Sequence, residues 1–309
     1  MNLTLAISKI DSTLNDIIHE DLKILKDIKK YIIQSGGKRI RPLTHLLFCD
    51  LLNYKGKEHW IIGSIAELIH TASLLHDDVV DEAATRRGKK TVGVLYGNKT
   101  AILAGDFLLA CGIERLNRLN HPAILSIFTD VIRQLSVSEL LQMQWQKDPK
   151  ISFEIYDKII YGKTSSLFGA VTQTAALLSG IGSKESEEYR EFGLLMGDVF
   201  QKRDDLLDYF TLTKKSGKDQ FKDFANKLYT YPVLMLREKA NKQDKALIPK
   251  IIESSNSSKM MQLLKEYKIE EICFHELNED IHELREFLTQ FPESKSKDIL
   301  NEQLSKLLY

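Results

Sequence analysis

Apolar residues recur at intervals of three and four along most of this chain, as in Leu22, Leu25, Ile28 and Ile32, and again in Ile61, Ile65, Leu68 and Ile69. That period belongs to the α-helix. Alternating patterns bounded by hairpin turns are hard to find, and the breakers fall between helical stretches: Gly36-Gly37, Gly88, Asn120-His121-Pro122, Asp148-Pro149 and Gly180-Ile181-Gly182. With six prolines in 309 residues and no Ser/Gly-rich linker, the pattern predicts an all-α protein folded as one domain over residues 1–309. Residues 101–110 are apolar nearly all round, which predicts a helix enclosed by others at the centre of a large bundle. From residue 250 onward charge rises, and surface helices are expected.

Charge narrows the function classes. Lysine and arginine together number 43 and so do aspartate and glutamate, so the formal net charge is zero. A global electrostatic pull toward nucleic acid or an anionic membrane is not indicated. Cys49, Cys111 and Cys273 are scattered among apolar neighbours without metal-ligand spacing, as buried free thiols in a reducing, cytoplasmic compartment would be. The N-terminus has no apolar signal core. No apolar run reaches the ~18 residues of a spanning helix.

One short pattern occurs twice: Asp77-Asp78-Val79-Val80-Asp81 and Asp204-Asp205-Leu206-Leu207-Asp208. Each closes a strongly apolar helical run. Residues four apart share a helix face, so Asp77 can meet Asp81 and Asp204 can meet Asp208. Carboxylates so close repel one another unless a cation lies among them, and oxygen-only ligation completed by water and phosphate oxygens is the preference of Mg²⁺. A solvated acidic face would account for one such cluster. Two of equal spacing on core helices call for a metal, because acidic residues are seldom buried unpaired.

Cations accompany the clusters. Ser35-Gly36-Gly37-Lys38-Arg39-Ile40-Arg41-Pro42 offers glycines that let backbone approach a phosphate, then cations to bind it. Arg86-Arg87-Gly88 follows the first cluster, Lys163-Thr164 follows an apolar-aromatic segment, and Lys202-Arg203 precedes the second cluster, where Lys202 reads as charge balance.

In this combination the chain resembles the trans-type polyprenyl diphosphate synthases, the family of farnesyl, geranylgeranyl and longer-chain synthases. The two aspartate clusters, the Gly-Lys-Arg loop, Lys163-Thr164 and Gly197-Asp198-Val199-Phe200-Gln201 match its motifs in order, from about residue 30 to 235. The resemblance implies a single helical bundle of the isoprenoid synthase type with a central substrate cavity. It implies that Asp77, Asp78, Asp81 and Asp204, with Asp205 and Asp208 through water, hold Mg²⁺ on an allylic diphosphate contacted by Arg86, Lys163 and Lys218. Lys38, Arg41, His70 and Arg87 would hold isopentenyl diphosphate, and Thr164 and Gln201 would face the reacting carbons. A homodimer is implied, with membrane contact limited to peripheral contact for product release. One stretch departs from the pattern: where the family carries Gly-Lys before x-Thr-Leu-Pro, this chain has Lys227-Leu228, and Lys227 is the candidate replacement.

The implied reaction is ionisation of the allylic diphosphate, attack of the isopentenyl double bond on the carbocation, and loss of a proton, with diphosphate as the base. No side-chain nucleophile is needed, and His76 reads equally as a hydrogen-bond donor to a carboxylate or as a catalytic group. Apolar walls would keep water from the cation. A terpene cyclase would carry a different second motif and lack the loop at 36–41; a non-catalytic subunit would have lost aspartates; a metal-binding scaffold would leave the cations unexplained. Below the first cluster Ala72 and Ser73 are small, so a growing chain should pass them, about 7.5 Å down the helix for Ala72, and reach about C30 or longer.

Overall fold

The structure is a computed structural model that describes residues 2–210 and 221–308. Among the described residues the helices run α1 (Leu3–Ile17), α2 (Lys23–Ser35), α3 (Ile40–Leu51), α4 (Glu58–Val80), α5 (Val92–Tyr96), α6 (Asn98–Asn117), α7 (Pro122–Trp145), α8 (Phe153–Ile160), α9 (Ser166–Leu178), α10 (Ser186–Tyr209), α11 (Lys222–Ala225), α12 (Tyr231–Lys239), α13 (Lys242–Glu253), α14 (Ser257–Glu266), α15 (Ile269–Leu288) and α16 (Lys295–Ser305). A π-helical turn, Tyr161–Ser165, joins α8 to α9. This is the all-α helical bundle that the family resemblance implies.

Local chemistry starts several helices. The Asn2 side chain accepts from the backbone N–H groups of Thr4 and Leu5, and Ser152 accepts from Ile155, satisfying amides that a helix start leaves unpaired. Between α4 and α5 lies an element too short to register as alternation: an antiparallel hairpin, β1 (Thr85–Arg86) and β2 (Lys89–Lys90). Its turn residues, Arg87 and Gly88, both have positive φ, 52° and 75°. That is the turn geometry whose twist suits a two-residue hairpin, and glycine adopts it at no steric cost.

The residues form two compact units. The first comprises Met1–Arg133, Leu167–Gly193 and Glu293–Leu300; the second comprises Gln134–Ser166, Leu194–Pro292 and Asn301–Tyr309. In the first, α4 is the central helix, and residues 62–69 are buried on all sides. Gly63 lets it approach Pro42 of α3, at 3.4 Å from a notional Cβ. Gly112 of α6 faces Ile65 and Leu68, and a side chain at Gly105 would run into the His76 ring. Phe48 of α3 meets Phe192 edge-on at 5.0 Å.

Residues 101–110 depart from expectation. Ala101, Ala104 and Leu108 are buried, but Leu103 is 67% exposed and Ile102 42%. The run is apolar all round because one face covers α4 and the other stays exposed among the described residues. Periodicity registers apolar surface without saying what covers it.

Candidate active site

In the first unit, α4 delivers the first aspartate cluster at its C-terminal end. Asp81 caps the helix and its N–H bonds Asp77 O at 2.8 Å, so the register continues and Asp77 and Asp81 share a face. Asp78, one step round, is 7% exposed, and its Oδ1 accepts from Arg86 Nε at 2.7 Å. The hairpin sets this geometry by placing Arg86 and Arg87 on consecutive residues. Arg87 donates to Gly36 O at 2.7 Å and Lys89 to Gln34 O at 3.1 Å, both at the C-terminal end of α2.

These groups surround a pocket lined by Tyr31, Arg39, His70, Asp78, Arg86 and Arg87, among others. His70 retains part of its exposed surface, yet its pKa is held well below the usual histidine value, first by desolvation and then by Arg41, Arg87, Arg86 and Arg39. That surrounding charge and burial favour the neutral imidazole.

The basic loop divides its cations by role. Lys38 is exposed. Arg41 is 8% exposed, its guanidinium lies 4.8 Å from the Phe168 ring centroid, and its Nε has no hydrogen-bond partner. Burial, opposed by Glu67 and reinforced by Arg87, pulls its pKa down to about 10. Arg39, between them, is committed to the fold: it pairs with Glu67 at 2.7 Å and Asp11 at 3.0 Å. Burial opposes its charge, but the two carboxylates outweigh it and the pKa is raised. Nothing in the loop sequence distinguishes this arginine from its neighbours, since its partners lie far along the chain.

In the second unit the π turn carries Lys163 and Thr164. Gly162 permits it: an added Cβ would lie 2.5 Å from Gln134 O and 2.6 Å from Ser138 Cβ on α7. Lys163 Nζ lies 2.7 Å from Glu139 and 3.3 Å from Gln142, both on α7. Thr164 donates instead to Gln201 Oε1 on α10, at 2.7 Å.

The second cluster's aspartates are not equivalent. Asp205 is 4% exposed and both its oxygens are occupied: Oδ2 by Tyr156 OH at 2.7 Å and Tyr231 N–H at 3.3 Å, Oδ1 by Gln201 Nε2 at 2.9 Å. Burial raises its pKa to about 6 against those three donors. Asp208 accepts from the backbone N–H groups of Lys222 and Asp223, at 2.9 and 3.0 Å, and so fastens the start of α11. Among the described residues, no three acidic, histidine or cysteine side chains form a ready-made metal site. Asp205 and Asp208 suit contact through water, since their oxygens already hold donors.

Asp223 lies outside both aspartate clusters in the sequence, yet it belongs with this one in space. Burial first, then Asp205, Asp208 and Asp204, push its pKa up to about 8. Lys202 lies 3.7 Å from Asp280, in keeping with charge balance. Lys218 lies outside the described residues. Lys227 is half-buried with φ 61°. Lysine thus occupies a left-handed position that favours glycine, the residue the family pattern carries there.

Residues 22–269 match the family described as polyprenyl synthetase. The octaprenyl diphosphate synthase of Haemophilus influenzae is 32% identical over 296 residues, which cover 94% of this chain and 90% of that protein. The decaprenyl diphosphate synthase of Rhodobacter capsulatus superposes with a TM-score of 0.91 at 26% identity, over 99% of this chain and 96% of that one. A polyprenyl synthase of Caulobacter crescentus CB15, solved with calcium and isoprenyl diphosphate, gives 0.89 at 27% identity, over 99% and 94%.

Proposed function

This chain belongs to the polyprenyl synthetase family and is a prenyltransferase that condenses isopentenyl diphosphate with an allylic diphosphate; on that footing we propose that it makes a long all-trans polyprenyl diphosphate, from a primer such as farnesyl diphosphate, with Mg²⁺. The observation that carries the reading is the pocket in which Arg86 is held against Asp78 beside His70 and Arg87. Cations and a carboxylate in one pocket suit an anion that arrives with a divalent ion.

The donor set fits Mg²⁺: hard carboxylate oxygens, some engaged and some at helix faces, with no sulfur or imidazole among them. Asp77, Asp78, Asp81 and Asp204 would hold it, and Asp205 and Asp208 would act through water. When bound, the ion neutralises the diphosphate that leaves. The chain's own residues do the rest. Arg86, Lys163 and Lys218 would hold the allylic diphosphate, while Lys38, Arg41, Arg87 and neutral His70 would hold isopentenyl diphosphate. Lys227 is the stand-in for the family's lysine at 228. Thr164 and Gln201 would turn oxygen dipoles toward the carbocation.

Further features of the reading rest on single observations. The family match runs through both compact units, which supports one synthase domain. Leu103 and Ile102, exposed on α6, support a homodimer. Three buried free cysteines agree with a reducing cytoplasm. No helix among the described residues is long and apolar enough to cross a membrane, so membrane contact would be peripheral, at product release.

The test is incubation with Mg²⁺, radiolabelled isopentenyl diphosphate and farnesyl diphosphate, with products resolved by chain length. Incorporation into a ladder ending at about C30 or longer is expected, the length that small residues below the metal helix allow. Products ending at C15–C20 would replace the long-chain reading with a short-chain synthase, and absence of incorporation would defeat the assignment.

A further inference from the structure

Asp205 sits at the centre of a directed hydrogen-bond chain. Tyr156, on α8 and 4% exposed, donates to its Oδ2 at 2.7 Å. Gln201 Nε2 donates to its Oδ1 at 2.9 Å, and Thr164 donates to Gln201 Oε1 at 2.7 Å. An ionised carboxylate can only accept, so Gln201 must turn its NH₂ end toward Asp205 and its carbonyl toward Thr164. The Thr164 hydrogen is thereby committed inward, and the hydroxyl's lone pairs face away from Gln201. One orientation at Asp205 therefore sets the polarity of every later member.

The Tyr156 ring packs against Tyr231, with centroids 6.5 Å apart and planes within 17°, and meets Phe153 edge-on at 6.4 Å. Phenylalanine would satisfy those contacts. The hydroxyl does something the ring does not: without it, Oδ2 of a buried carboxylate keeps only the Tyr231 N–H, at 3.3 Å. A buried acceptor so poorly served turns toward other donors, and Gln201 loses its fixed anchor.

We infer that Tyr156 is a positioning residue for prenyl transfer, acting through Asp205 to fix the Gln201 amide and so aim the lone pairs of Thr164 at the reacting carbons. The inference rests on the proposed reaction, in which those carbons carry positive charge.

The experiment compares wild type with Tyr156→Phe, Gln201→Ala and the double variant. Tyr156→Phe should lower kcat about 10- to 100-fold, as misplacing a catalytic dipole does, while leaving both KM values within about twofold. The double variant should be no slower than Gln201→Ala alone, since both changes break one chain. More allylic alcohol should form per condensation, because the misaimed dipole leaves the cation open to water. In the ligand-free protein the Gln201 side-chain amide resonances should shift in Tyr156→Phe. Unchanged kcat, multiplicative losses in the double variant, or unmoved Gln201 resonances would each overturn the inference while leaving the reaction intact. A wild type that forms no condensation product overturns the reaction itself, and the inference with it.

Should Tyr156→Phe fail to fold, Asp205→Asn carries the test. Its Oδ1 must stay with the Tyr156 and Tyr231 donors, so its NH₂ faces Gln201 and reverses that amide. The Thr164 hydrogen then points outward, and kcat should fall at least about 100-fold. In the ligand-free variant the Gln201 side-chain amide resonances should move, and added Mg²⁺ should not restore kcat; recovery of kcat at high Mg²⁺ or unmoved resonances would overturn the inference. A kcat within twofold of wild type would overturn the inference.

Discussion

Arg86 Nε lies 2.7 Å from Asp78 Oδ1, so two residues assigned to the diphosphate and its metal are paired with each other. A ligand that brings both phosphate oxygens and a divalent ion offers each a new partner at once. Mg²⁺ with diphosphate or a bisphosphonate should raise the melting temperature, by linkage equivalent to about 2.7 kcal/mol at a hundred times Kd. Arg86→Ala should shrink the rise. A rise of equal size in that variant would remove Arg86 from the ligand.

Glu67 and Arg39 predict a different kind of loss. Both side chains are buried, and removing Glu67 leaves the Arg39 charge with only the more exposed Asp11, a loss toward the about 3–5 kcal/mol of a broken buried pair. Glu67→Ala should therefore unfold at much lower urea, whereas Lys38→Ala, exposed on the same loop, should keep its stability and raise the KM for isopentenyl diphosphate. Equal urea midpoints for the two variants would show that the buried pair contributes nothing.

The second cluster gives metal-free stability a pH slope. Burial first, with neighbouring carboxylates added, raises the folded pKa of Asp205 to about 6 and of Asp223 to about 8. A raised carboxyl stabilises the fold fully below its unfolded pKa, near 3.8, and that contribution fades as pH climbs through the folded values. The metal-free protein should be more stable near pH 5 than above pH 8, and Asp223→Asn should flatten the upper part of the slope. Urea melts at several pH values measure this, and a slope unchanged in Asp223→Asn would exclude that residue as its source.

His70 makes the opposite kind of prediction. Because its pKa lies well below the usual histidine value, no protonation should occur there between about pH 6 and 8. The KM for isopentenyl diphosphate should show no histidine limb over that range, and His70→Gln should bind nearly as well. A limb near about pH 6.5 that vanishes in His70→Gln would show a charged imidazole at work.

Two neighbours proposed to bear on product length, Ala72 and Ser73, differ in their surroundings. Ala72 is fully buried and falls on the same α4 face as Ile65, Leu68 and His76, which meet α6. Ser73 is half-buried and lies four residues from Asp77, below it on a shared face. Ala72→Phe should overpack the α4–α6 contact and cost about 1–3 kcal/mol. Ser73→Phe should instead truncate the product to about C15–C20, a ring filling the path one turn below the aspartates. Full-length product from Ser73→Phe would place the channel elsewhere.

Much of the fold, and the grouping of some candidate site residues, was legible in the order of residues. Helical spacing exposed the bundle, and four-residue spacing paired Asp77 with Asp81. The features that stayed hidden depend on partners distant in sequence. Arg39 reads like Lys38 until Glu67 and Asp11 fold against it. Asp205 reads like Asp204 until Tyr156 and Tyr231 occupy its oxygens. The hairpin at 85–90 was invisible because two residues per strand cannot show a period. The outer face of α6 misled because an apolar side chain carries no label for its cover.

The π turn at Tyr161–Ser165 holds one residue more than an α-helix would use to span the same rise. Deleting a residue there would let the backbone relax to ordinary helix, with every backbone hydrogen bond regained. The turn absorbs its extra residue locally, so the deletion would re-aim the side chains within it, among them Lys163, now on Glu139, and Thr164, now on Gln201. The bulge works as slack in the thread: it seats one more residue and lets neighbours in sequence address two different helices.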